Sequence, residues 1–137
     1  THFGKGLIAG IYGPIGDVNF RSHLPALRNF LGDVMSQLFQ PVIEVYGPPC
    51  VDLTLRCKDN KMMVHLANTA GMQSSLRYAA VDFVPSVGPI KLVAHLPQKP
   101  VEISVVPNGT RISSKWSKGK LVVNVPQLNF HNVIVVE

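Results

Sequence analysis

From residue 51 to residue 67 apolar side chains recur at every second position. Val51, Leu53 and Leu55 alternate with Asp52, Thr54 and Arg56; the turn Lys58-Asp59-Asn60-Lys61 follows, and then Met62, Val64 and Leu66 alternate with Met63, His65 and Ala67. A period of two puts each apolar set on one side of an extended chain, so this stretch predicts a hairpin with a single core-facing side. The pattern continues to the end of the chain. Residues 90–96, 101–106, 111–116, 121–125 and 130–136 are short runs, mostly apolar and rich in β-branched residues, parted by turn formers such as Asn108-Gly109. Seven or eight short strands with no helical period among them predict a mainly β domain, an antiparallel β-sandwich over residues 41–137. Its expected core is Val51, Leu53, Leu55, Val64, Leu66, Leu92, Leu121, Val123 and Val135.

The first 40 residues have another character. Residues 6–11 read as a short buried strand, and Leu24, Leu27, Leu31, Val34, Met35 and Leu38 share one helical face, with Ser22 as cap and Pro25 in the first turn. Gly13-Pro14 and Gly16-Asp17 read as the loop between them. A single strand-helix unit has no sheet of its own. Residues 1–40 are therefore expected to be left over from an α/β domain, with the strand as an unpaired edge. A length of 137 residues suits one domain plus such a remnant.

Composition removes several function classes. No apolar run approaches the roughly 18 residues of a membrane span, and residues 1–13 have neither the basic region nor the cleavage pattern of a leader, so neither a membrane segment nor a signal peptide is expected. The net charge of +5 invites a nucleic-acid reading, but the bases are scattered. Only Arg111, Lys115, Lys118 and Lys120 cluster, around Trp116, where a solvated hairpin explains them better than a phosphate site. No nucleic-acid partner is expected.

Cys50 and Cys57, seven positions apart on extended chain, would stand roughly 20 Å from each other, beyond disulfide reach. They are expected to be free thiols, which favours a soluble protein of the cytoplasm. Neither has a cysteine or histidine at zinc-ligand spacing, so no metal is expected, and Cys57 shares the parity of the buried residues. No phosphate loop or nucleophile elbow occurs, and no cofactor is expected.

One connection is too long to be only a turn. Residues 69–89 carry Arg77, Tyr78, Asp82 and Phe83, and loops beyond roughly 12 to 15 residues are usually functional or mobile. Arg77, Tyr78, Phe83 and, elsewhere, Trp116 are the candidate contacts for a saccharide, against the plainer reading of a crossover whose aromatics plug the sandwich end. His65, His95 and His131 read as three separate histidines, and Asn68 as a strand-end residue bonding local backbone. The eight acidic residues form no evident pair, so no catalytic residue is nominated.

The segments MMVHLAN (62–68), VPSVGPIKLVAHLPQKPVEISVV (84–106) and GKLVVNVPQLNFHNVIVVE (119–137) carry a resemblance. Together they resemble the C-terminal region of barrel-type glycoside hydrolases of the β-galactosidase kind, built from a catalytic barrel, an amidotransferase-like trimerisation domain and a small C-terminal β-sandwich. In such chains a GKG strand and a helix close the trimerisation domain, like residues 5–39 here. The resemblance implies a fragment without the two barrel carboxylates, a non-catalytic accessory module whose partners are the parent's other domains and sister subunits. A carbohydrate-binding module is the alternative.

Overall fold

A computed structural model of the chain describes residues 1–71, 83–107 and 110–137. These divide into two compact units, Thr1–Pro41 and Val42–Glu137. Among the described residues no helix is long and apolar enough to cross a membrane.

The first unit opens with a small antiparallel hairpin in which β1 (His2–Phe3) pairs with β2 (Gly6–Leu7). The turn between them uses Gly4 at φ +58°, a left-handed conformation that glycine adopts without a steric cost. The expected strand over 6–11 is thus shorter, and its edge is taken by residues directly before it. Two helices follow, α1 (Ile15–Ser22) and α2 (Pro25–Leu38). The sequence reading missed α1 because its glycines and proline resemble a loop. In fact Pro14 sits at the N-cap position, and the 17–21 pair Asp17–Arg21 joins one turn to the next at 2.9 Å. His23, at φ 49°, ends α1 with its N–H donated to the Asn19 carbonyl. Ser22 does not cap α2: its hydroxyl donates back to Val18 O inside α1, and Pro25 occupies the first turn of α2 as expected. Leu27, Leu31, Val34 and Leu38 form the half-buried stripe of α2, while Leu24 and Met35 are exposed. So short a segment has too little chain to enclose a core.

The second unit is the sandwich. One sheet has the order β3-β6-β10-β9, formed by Ile43–Tyr46, Ile90–His95, Lys120–Val125 and Ser114–Ser117. The other has the order β4-β5-β11-β7-β8, formed by Val51–Lys58, Lys61–Asn68, His131–Val136, Ile103–Val106 and Thr110–Arg111. Every pairing in both is antiparallel. The predicted hairpin of β4 and β5 is present, with Leu53 opposite Leu66 and Leu55 opposite Val64, across a turn whose Asp59 and Asn60 both take positive φ. Lys118 and Gly119 turn β9 into β10 in the same way.

The core joins the inward residues of both sheets: Val64, Leu66, Ile134 and Val136 from one, Ile90, Leu92, Leu121, Val123 and Val125 from the other, with Leu128 between. Several expectations need correction. Val51 and Leu53 pack against the core but are only half-buried. Val135 is only half-buried, and Ile134 and Val136 point inward instead; residues 133–136 are apolar throughout, so parity could not be read from them. Leu55 is 36% exposed and Cys57 is exposed, on a strand, β4, that forms the edge of its sheet. β3 was not anticipated at all. Both cysteines are free thiols. The turn residues Asn108 and Gly109 lie outside the described residues.

Candidate functional site

The strand-end residue Asn68 is scaffold. Its Nδ2 donates to the carbonyls of Pro85 (2.8 Å) and Asn129 (2.7 Å), and its Oδ1 accepts the Ala70 N–H at 3.0 Å. One amide side chain thus closes the start of the long connection onto its end and onto the approach to β11. Arg77, Tyr78 and Asp82 lie outside the described residues. Phe83 is 75% exposed.

Trp116 is placed by β9. It stands in register with Leu121 on the inward side, packs on the core, and is half-buried because β9 is the edge of its sheet. Beside it a cleft of about 490 Å³ is lined by Lys99, Glu102, Ile103, Ile112, Ser114 and the indole. Its walls come from both sheets, since Ile103 belongs to β7 and Trp116 to β9. The indole Nε1–H is buried and has no hydrogen-bond partner among the described residues. An unmet buried donor costs about 1–3 kcal/mol. The volume lies within the range of small-molecule sites.

A second cluster lies on the outward side of the β3-β6-β10-β9 sheet, where alternation turns Glu44, Tyr46, Lys91 and His95 away from the core. Glu44 Oε1 meets His95 Nε2 at 2.6 Å, and the Tyr46 hydroxyl donates to Glu44 Oε2. Lys91 Nζ lies 5.6 Å from the Tyr46 ring centre, a cation–π contact. Val93, directly opposite both Glu44 and Val122, is 8% exposed although it faces outward. The Tyr46 hydrogen bond, then the His95 contact, hold the Glu44 carboxyl below its ordinary pKa of 4.5, and the same hydrogen bond raises the Tyr46 phenol above 10.0. Glu44 is therefore a fixed anion that orders its two partners. Sequence reasoning missed it because His95 is 51 residues away and only the β3-β6 pairing unites them.

His65 and His131 also meet. Their strands β5 and β11 are neighbours, and His65 Nδ1 lies 3.2 Å from His131 Nε2, with ring centres 5.3 Å apart. The expectation of three separate histidines is corrected for this pair. His95 instead joins Glu44. Among the described residues no group of three or more His, Cys, Asp or Glu could hold a metal ion.

No family model matches the sequence, and no curated protein matches it. Among solved structures the chain is similar to alpha-L-fucosidase isoenzyme 2 from Paenibacillus thiaminolyticus, with a TM-score of 0.77 and 19% identity. The match covers 90% of this chain and 19% of the fucosidase. Coverage of 90% reaches into the first unit, which holds residues 1–41 of the 137. At this identity the two share a fold: a β-sandwich of the same build also occurs as a minor part of a much longer chain.

Proposed function

We propose that the chain is a non-catalytic accessory module of a glycoside hydrolase, in which residues 1–40 close an α/β, amidotransferase-like domain and residues 41–137 form the C-terminal sandwich. The observation that supports this reading is the fold match, which takes nearly all of this chain but only 19% of the fucosidase. The module's partners are then the parent's other domains and sister subunits. Its parent acts on a galactoside, as the sequence resemblance implies, or on a fucoside, as the structural neighbour suggests. The test is incubation of the purified chain with aryl β-D-galactosides and aryl α-L-fucosides. No turnover above the blank is expected; turnover that survives repurification and disappears in Glu44→Gln would overturn the reading.

The cleft beside Trp116 favours a second reading, a saccharide-binding module. The apolar face of a sugar ring would lie against the part of Trp116 that lines the cleft. Trp116 is the sole tryptophan, so intrinsic emission reports on this cleft directly. A saturable emission change with galactose, fucose or their oligosaccharides, absent in Trp116→Phe, supports binding there. A flat titration at millimolar sugar removes this reading and leaves the structural role.

A further inference from the structure

We propose that His65 and His131 form a two-histidine clamp for a divalent transition-metal ion of the zinc, copper and nickel class, on the outward side of the five-stranded sheet. The pair comes from adjacent strands whose register is fixed on both sides: Ile134 and Val64 stand opposite each other and are both buried, which leaves His65 and His131 facing outward on parity. The clamp therefore rests on the sheet's own hydrogen bonding rather than on loops, and sites on strands hold ligands more precisely.

The geometry fits a metal. Imidazole nitrogens bind zinc at about 2.0–2.1 Å. Two such bonds to nitrogens 3.2 Å apart subtend about 100° at the metal, between the tetrahedral angle and the right angle of a tetragonal site. The rings differ in plane by only 25°, so modest side-chain rotations aim both lone pairs at one point. One of the two facing nitrogens carries the proton of their mutual contact. Metal binding moves that proton to the other nitrogen of the same ring, and no net proton is released from a neutral pair.

The surroundings permit a cation. Ala67 is opposite both His131 and Asp52, so a small side chain separates the imidazole from a carboxylate in the same row. Thr54 and Val133 flank His65 in the next row, and Arg56 lies one row further along, opposite Met63. Water completes the coordination sphere, because two protein ligands leave positions open. His95 is engaged by Glu44 in the other sheet.

The experiment titrates the whole chain with Zn²⁺ against a chromophoric zinc indicator, and repeats it with Ni²⁺. One ion per chain is expected. Removal of an outer-sphere partner alone weakens metal sites by about 10–100-fold, so loss of a ligand in His65→Ala or His131→Ala should weaken binding at least about tenfold. His95→Ala and Cys57→Ser should bind as the parent does. Unfolding midpoints in chelator show whether the variants fold. Should either fail, the ¹⁵N shifts of the two imidazoles in the parent chain decide: both move on adding Zn²⁺ if the clamp binds. Affinity unchanged in both histidine variants, affinity lost in Cys57→Ser, or unmoved imidazole shifts would overturn the proposal.

Discussion

Leu66→Ala tests the sandwich at its centre. Leu66 is 0% exposed and lies on β5 between Leu53 of β4 and Asn132 of β11. Truncation removes three buried carbons, worth about 2.4 kcal/mol at about 0.8 kcal/mol each. The cavity left in a core closed by the opposite sheet adds to this, which places the total at about 3–5 kcal/mol. For a domain whose whole stability is about 5–15 kcal/mol, that is a large share. The neighbour His65 faces outward, and with metal chelated His65→Ala should cost only the side-chain contact with His131, about 0.5–1.5 kcal/mol. The assay is urea unfolding followed by far-UV circular dichroism, with an unchanged slope in both variants. A loss below about 1.5 kcal/mol for Leu66→Ala, or an equal loss for His65→Ala, would mean that the strand's parity is wrong, since a one-residue slip exchanges the two sides.

Three further outcomes are expected. Asn68→Ala forfeits three hydrogen bonds at the junction of the long connection and should cost about 1.5–4 kcal/mol, with faster amide exchange at Ala70 and no effect on metal binding; unchanged exchange would show that Asn68 does not hold the junction. Gly88→Ala should destabilise by more than about 1 kcal/mol, because Gly88 has φ +150° and a Cβ there would stand 2.5 Å from the Pro126 carbonyl oxygen, which is backbone; a neutral variant in urea would refute this. The Glu44 network gives stability with a defined window. The Glu44 pKa is lowered on folding, so its share is present above 4.5 and fades as pH falls through the folded value, while the raised Tyr46 pKa makes its share fade as pH rises from 10.0. Unfolding midpoints of Tyr46→Phe should therefore converge with the parent's at low pH, where the carboxyl is protonated, and a constant gap across pH 3–8 (about that range on reference values) would contradict the assignment.

What could be read from the sequence was whatever repeats locally. The hairpin of β4 and β5 shows in Val51 to Leu66 because one side is apolar and the other is not. β11 shows as a strand, yet its orientation does not, because Val133, Ile134, Val135 and Val136 present the same chemistry to both sides. α1 was hidden by residues that usually break helices, and β3 by being only four residues long. The site residues follow the same division. Asn68 was legible only in its bond to Ala70; its bonds to Pro85 and Asn129 join segments 17 and 61 residues away. Glu44 with His95, and His65 with His131, depend on which strands become neighbours, and the orders β3-β6-β10-β9 and β4-β5-β11-β7-β8 are products of global packing that no short window contains. The unmet N–H of Trp116 is further removed, since it depends on what is missing around one atom.

The accessory role proposed for this chain requires a glycoside hydrolase catalytic domain in the same protein. The coding sequence read in frame through both ends tests it most directly. The prediction is a catalytic domain in the same frame, with two carboxylates at the separation glycoside hydrolysis requires, followed by an α/β domain that ends in α2. A frame that encodes no hydrolase domain would contradict the claim.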